Sequence, residues 1–109
     1  STIFTAPGDG NIALTATQDE VFLLAEYEIF GARSNASTQE PNYLKQYSYY
    51  SAGNSKVKYK YNATSSTAYW WERSPASDYS TNFCDVNING SVNYFIAYYS
   101  YGVSPCFKV

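Results

Sequence analysis

Residues 11–17 alternate apolar and polar side chains, the period of a strand with one buried face. Val21, Phe22, Leu23 and Leu24 follow as a short apolar strand candidate. Residues 25–31 then turn to helix formers, and Gly31 supplies a C-terminal stop. Residues 33–38 are polar and loop-like. A second helix is predicted from Pro41 to Ala52, because Tyr43, Leu44, Tyr47 and Tyr50 recur at helical spacing and Gly53 follows as a stop. Val57, Tyr59 and Tyr61 alternate with Lys56, Lys58 and Lys60, which reads as a strand or extended arm with the lysines on its solvent face. Residues 68–73 (Ala-Tyr-Trp-Trp-Glu-Arg) read as a central strand, ended by Ser74-Pro75. Beyond it the chain is all turns and short strands. Phe83, Val86 and Val92 are core candidates flanking Asn89-Gly90, a strong hairpin signal, and residues 102–109 form a last strand. Two helices, a small and mostly antiparallel sheet, and a C-terminal half rich in loops and hairpins predict an α+β domain.

At 109 residues the chain is expected to be one domain, residues 1–109. It opens on Ser1 without a charged, hydrophobic and cleavable leader, which predicts the C-terminal domain of a longer protein. A net charge of −2 and 15% charged residues argue against nucleic acid as a partner, since a phosphate backbone is met by clustered Lys and Arg. The longest apolar run, Val21 to Ala25, is far too short to span a bilayer, so direct membrane insertion is not expected. Cys84 and Cys106 fit either a pair or two buried thiols.

Catalytic equipment is thin. The chain has no His, the usual general base and a common metal ligand. Ser–His–Asp and Cys–His sets are therefore excluded, and neither zinc spacings nor glycine-rich phosphate loops occur. Glu26 and Glu28 stand two apart and do not share a helix face. The sequence thus predicts no catalytic residue, no metal site and no cofactor: a binding domain rather than an enzyme. Glu40-Pro41-Asn42 matches a triplet that chelates calcium and sugar in mannose-binding C-type lectins. The accompanying Trp-Asn-Asp is absent, and one Glu with one Asn falls short of six to eight oxygens. Pro41 is instead expected in the first turn of the second helix. Three glycosylation sequons start at Asn35, Asn62 and Asn89, as an Asn- and Ser-rich chain produces by chance.

Tyrosine changes the picture. There are 13, with 6 Phe and 2 Trp, too many to bury without stranding hydroxyl groups. Between Ala76 and Tyr101, Tyr79, Tyr94, Phe95, Ile96, Tyr98, Tyr99 and Tyr101 are interleaved with Ser, Asn, Asp and Thr, the alphabet of antibody loops. Tyr94-Phe95-Ile96 and Tyr98-Tyr99 break strand alternation, so some of these rings face outward. The same region lacks other residues altogether. Residues 76–107 contain no Lys, Glu, Gln, Met or Trp, while residues 1–75 contain 14, so roughly six would be expected in proportion. All five are unreachable by changing only the adenines of an AAC codon, whereas Asp, Tyr, Thr, Ile, Phe, Ser and Ala are reachable. Such a bias suggests a mutational process.

Trp70-Trp71-Glu72-Arg73-Ser74-Pro75, then Asn82-Phe83-Cys84-Asp85-Val86-Asn87, then Gly90 and Gly102-Val103-Ser104-Pro105, resembles the variable proteins of diversity-generating retroelements. It is most similar to the phage and bacterial domains with Trp-Trp-x-Arg-Ser-Pro, an Asp/Asn-Gly hairpin and Gly-Val-x-Pro. Residues 22–28 look like the early strand-to-helix segment of those domains. The resemblance implies a C-type-lectin-like fold in which residues 1–75 are scaffold and 76–107 a variable binding region. By position, Asp78, Tyr79, Thr81, Asp85, Ile88, Tyr94, Phe95, Ile96, Tyr98, Tyr99 and Tyr101 would be the diversified, ligand-binding residues. Trp70, Trp71, Arg73, Pro75, Phe83, Val86, Gly90, Gly102, Val103 and Pro105 would be scaffold. The implied partner is a protein or glycan on a bacterial cell surface, met by a phage tail or a surface-displayed binder. A fixed carbohydrate-binding module and a tail or pilus assembly domain are the alternatives.

Overall fold

The computed structural model describes residues 2–6, 14–40, 44–77 and 81–107. Strand β1 (Thr2–Thr5) pairs antiparallel with β2 (Thr15–Gln18). Strand β3 (Val21–Phe22) leads into helix α1 (Glu26–Phe30), and helix α2 (Ser48–Ser51) precedes the antiparallel pair β4 (Lys58–Lys60) and β5 (Ala63–Ala68). Strands β6 (Trp70–Pro75), β7 (Asn82–Val86) and β8 (Val92–Ile96) form a three-stranded antiparallel sheet in that order. The last strand, β9 (Cys106–Phe107), returns to pair with β3. Leu24, Ile29, Tyr50, Trp70 and Val86 form the buried core, with Phe22, Phe30 and Cys106 packed against it.

The architecture is mainly β, which corrects the α+β, C-type-lectin-like arrangement expected from the sequence: the described residues form four small sheets and two helices of five and four residues. Most of the difference lies in the second helix, which occupies Ser48–Ser51 instead of starting near Pro41. Residues 41–43 are outside the described residues, and 44–47 are not helical, so Pro41 does not open this helix. The cause is a competing use of the backbone. Tyr47, extended at φ −63° and ψ 136°, donates its N–H to the Glu28 carbonyl, and the Gln46 side chain donates to Ile29 O. These are carbonyls that a helix end leaves without intrahelical partners. Satisfying them holds the segment straight across the end of α1, at the expense of another turn of helix.

Helix α1 follows the sequence reading. Glu28 accepts the Ala25 backbone N–H at 2.8 Å, and Gly31 closes the helix by donating to Tyr27 O. The strand predicted over residues 11–17 is described only as Thr15–Gln18, because 11–13 lie outside the described residues. Of the last strand predicted over 102–109, residues 108–109 lie outside the described residues and only Cys106–Phe107 is paired among the rest; Pro105, just before it, has no N–H to donate to a ladder. The strand containing the Trp doublet is an edge of its sheet, and β7 is central. The outer side of β6 is covered piecemeal: Trp71 donates to Gly102 O, and Arg73 donates its backbone N–H to Leu24 O. The lysines of the extended arm also reverse expectation. Lys58 lies 4.9 Å over the Trp70 ring and Lys56 lies 5.5 Å over Phe30, while Tyr59 and Tyr61 stand in solvent. Their alkyl stems and charges cover core rings that two short strands leave uncovered.

The hairpin between β7 and β8 turns at Gly90, whose φ of +86° is a left-handed conformation. A Cβ there would also sit 3.3 Å from Val57 Cγ2. Gly90→Val is therefore expected to cost about 1–3 kcal/mol and Gly90→Asn less, read as the shift in urea-unfolding midpoint. Equal destabilisation by both would show that the backbone angle is not what the turn requires.

Candidate ligand-binding surface

Strand β6 sorts its side chains by parity. Trp70, Glu72 and Ser74 are buried, while Trp71, Arg73 and Pro75 are half-buried. Register carries this division across the sheet: Trp71 stands opposite Asp85, which stands opposite Asn93, and Pro75 opposite Phe83, which faces Phe95. The face with Trp71, Pro75, Phe83 and Phe95, which also carries Asp85 and Asn93, is thus the one opposite the core residues Trp70 and Val86.

On that face the rings form a continuous array. Tyr69 and Tyr101 stack at 4.6 Å, Tyr101 and Tyr99 at 5.7 Å, and Tyr99 and Tyr98 at 4.8 Å, making a row of four stacked rings. Trp71 leans on Tyr101 at 4.9 Å. Phe95 meets Tyr69, Tyr99 and Tyr101 edge to face. Edge-to-face and offset contacts suit the ring quadrupole, so the array holds its own shape before any ligand arrives. Exposure grows along the row: Tyr69 and Tyr101 are half-buried, Tyr99 is 41% and Tyr98 74% exposed. A hydrogen bond with Tyr99 raises the Tyr98 hydroxyl above its ordinary pKa.

Gly102 positions this row. Its N–H donates to Tyr69 O at 2.8 Å and its carbonyl accepts from Trp71, which draws the segment bearing Tyr101 against Tyr69. A Cβ on residue 102 would meet Tyr69 O at 3.1 Å, so a side chain there would have to push that carbonyl back by a few tenths of an ångström. Alongside runs a groove of about 690 Å³ whose walls include Tyr59, Tyr61, Tyr69, Ile88, Tyr101 and Val103.

The residues assigned to binding from sequence divide by place. Phe95, Tyr98, Tyr99 and Tyr101 belong to the array, and Ile88, at the hairpin turn, lines the groove with Tyr101. Tyr94 and Ile96 pair with Cys84 and Asn82 and so lie on the opposite face of β8, partly exposed. Thr81 is exposed beyond the end of β7, and Asp78 and Tyr79 lie outside the described residues. Asp85 is fully buried, with Oδ2 accepting a 3.4 Å bond from Asn93 and Oδ1 unpartnered. Burial pushes its carboxyl up to about 6, against the lowering effect of Asn93. It lies beneath the surface instead of forming part of it. Conversely, Tyr69 and Trp71 join the array although the sequence reading left them out of the binding set. The doublet Trp70-Trp71 on a strand was the available signal, since one of two adjacent rings must face outward. Phe83 and Val103, assigned to scaffold, are 38% and 65% exposed.

Behind the sheet lies a framework of buried acids. Glu26 accepts backbone N–H groups from Ser34, Asn35 and Ala36 at 2.7–3.1 Å, shaping the loop after α1. Glu40 accepts from Tyr27 N and the Ser74 hydroxyl, and Ser74 Oγ accepts from Glu26 N. Burial raises the Glu40 carboxyl above its ordinary pKa, opposed by those two donors. Glu28 pairs with Arg73, whose guanidinium also donates to Phe4 O and Leu23 O. Glu72 differs from all of these: burial, then the charges of Glu26, Glu40 and Asp85, push it well above the carboxylate range. Both thiols are free, Cys84 being buried and Cys106 half-buried. Among the described residues, no helix is long and apolar enough to cross a membrane.

No curated protein and no solved structure matches the chain. The family model DUF6273, described as a domain of unknown function, matches residues 2–109, and the chain belongs to that family.

Proposed function

We propose that this domain is a hypervariable ligand-binding module, diversified by a retroelement, that serves as a phage-tail or bacterial-surface receptor-binding domain and performs no catalysis. The observation that carries the reading is the row Tyr69–Tyr101–Tyr99–Tyr98 with Trp71 and Phe95 against it. Interface hot spots are aromatic clusters that desolvate on contact, and a preformed one loses little entropy when a partner docks. Because most faces in the row are taken up by neighbouring rings, edges and hydroxyl groups are what it presents. That favours a protein surface as the ligand over a sugar, which stacks on a free ring face. The groove with Tyr59 and Tyr61 on its wall supports a second reading, a fixed carbohydrate-binding module, because Tyr61 is fully exposed.

Two experiments test the proposal. Sequencing the encoding locus should reveal a reverse transcriptase and a near-copy of the segment for residues 76–107, differing where that copy carries adenine. The labelled domain should bind whole bacterial cells, with retention reduced by protease treatment of those cells. Tyr101→Ala is expected to weaken binding by at least about 30-fold, the effect of a 2 kcal/mol hot spot, and Tyr98→Ala by several-fold. Tyr94→Ala, on the opposite face, should bind like the parent. Full binding by Tyr101→Ala would overturn the assignment of the surface. Binding to glycan arrays, reduced by Tyr61→Ala and not by Tyr98→Ala, would favour the carbohydrate reading.

A further inference from the structure

Glu72 points into the acid framework with 2% exposure, and neither of its carboxylate oxygens has a hydrogen-bond partner among the described residues. Every other glutamate buried there is engaged: Glu26 by three backbone N–H groups, Glu28 by Arg73, Glu40 by Ser74 and Tyr27. Buried charges in folded proteins are paired or coordinate metals, so an acid that reaches no donor calls for an unseen partner. Arg73 is not that partner, since its guanidinium is committed to Glu28 and to the carbonyls of Phe4 and Leu23. One carboxylate oxygen each from Glu26 and Glu72 and the Cys84 sulfur lie within 4.8 Å of one another, all three residues being buried.

We infer that Glu26, Glu72 and Cys84 hold a divalent transition-metal ion of the zinc class, linking α1 to the two adjacent strands β6 and β7. The donor set selects the ion. Calcium and magnesium want six or more hard oxygens, whereas two carboxylates with a thiolate suit zinc or cobalt. Around tetrahedral zinc such ligands stand about 3.5 Å apart, so closing on the ion takes side-chain rotations of the order of an ångström. Glu26 is already oriented for this: its Oε1 takes three backbone bonds, and Oε2 is left with one 3.3 Å contact from Asn35 N. Bonds of that kind are the outer support that metal-ligating carboxylates have. Three protein ligands leave a fourth position for water or another donor. A pocket of about 320 Å³ on the aromatic face of the sheet has Glu72 on its wall beside Trp71 and Phe83. The metal is independent of the binding role proposed above, since its ligands lie on the other side of β6 from the array.

The test uses the full chain, stripped with a chelator and titrated with Co²⁺ and Zn²⁺. One equivalent of Co²⁺ should produce a thiolate-to-cobalt charge-transfer band that survives Cys106→Ser and disappears in Cys84→Ser. Zn²⁺ in large excess over its Kd should raise the parent's Tm by roughly 5 °C or more, with no such rise in Glu72→Gln. Parent protein with neither the band nor the shift would overturn the site, as would a band that follows Cys106 or a Zn²⁺ shift undiminished in Glu72→Gln. The parent titration decides the matter even if a variant fails to fold. In the overturned case, a Glu72→Gln variant more stable than the parent would identify a proton as the partner of the carboxylate.

Discussion

Arg73→Ala should lower the free energy of unfolding by about 3–5 kcal/mol, the largest single effect expected of any charged residue here. The side chain is 9% exposed and its guanidinium reaches Phe4 O through two nitrogens, Leu23 O through a third bond and the Glu28 carboxylate through a fourth. Three separate segments, β1, the residues after β3, and α1, are thereby tied to β6. Truncation leaves the Glu28 carboxylate buried without its cation and removes the guanidinium donors from the Phe4 and Leu23 carbonyls, and the loss of the cation beside Glu28 dominates the cost. Arg73→Lys should recover only a minor part, because a single ammonium cannot reach acceptors that are spread around the fixed fork of a guanidinium. Urea unfolding of the three proteins decides the point. A Lys variant as stable as the parent would mean that charge alone matters and the fork does not. A loss below 1 kcal/mol for the Ala variant would mean that the three segments hold without it.

Trp70→Ala should cost a similar 3–5 kcal/mol, whereas Trp71→Ala should cost clearly less and act on binding instead. The two rings are neighbours in the chain and opposites in the fold. Trp70 is 2% exposed within the cluster of Leu24, Ile29, Tyr50 and Val86, and its indole N–H donates to Lys56 O at 3.0 Å. Its removal opens a cavity between α1 and the sheet and leaves that carbonyl unpaired. A domain of this size has only some 5–15 kcal/mol in total, so a substantial unfolded fraction is expected at 37 °C. Trp70→Phe keeps most of the apolar volume and should retain about half of the loss. Trp71 is half-buried and touches Tyr101, so its truncation frees one side of the stacked row. Thermal denaturation with cell-binding measurements on both variants separates the two roles. Equal stability losses with equal binding losses would contradict the division of the sheet into a core face and a ligand face.

The elements most legible in the sequence are those specified by local chemistry. Asn89-Gly90 turns the β7–β8 hairpin because Gly90 must adopt a positive φ, and residues 25–31 form a helix that ends at Gly31. The aromatic excess also announced an exposed surface, and Phe95, Tyr98, Tyr99 and Tyr101 are found together on it. The second helix is shorter than its spacing predicts because spacing alone cannot register that carbonyls at the end of α1 compete for the Tyr47 backbone and the Gln46 side chain. Its position in the motif marks Asp85 as a surface residue, and the register does set it on the face of Trp71 and Asn93, yet packing buries it completely.

The sequence by itself determined where the chain turns, which stretches are extended, and that more rings exist than a small core can hold. Each of these follows from backbone sterics or from composition, and both act within a few residues. Tertiary structure alone decided which of Trp70 and Trp71 is core, that Tyr69 stacks on Tyr101 across 32 positions, and that Glu26, Glu72 and Cys84 converge. Those outcomes depend on strand register and on the bonds that close the edge of β6. A shift of one residue in that register would exchange the two faces and put a different set of side chains in water.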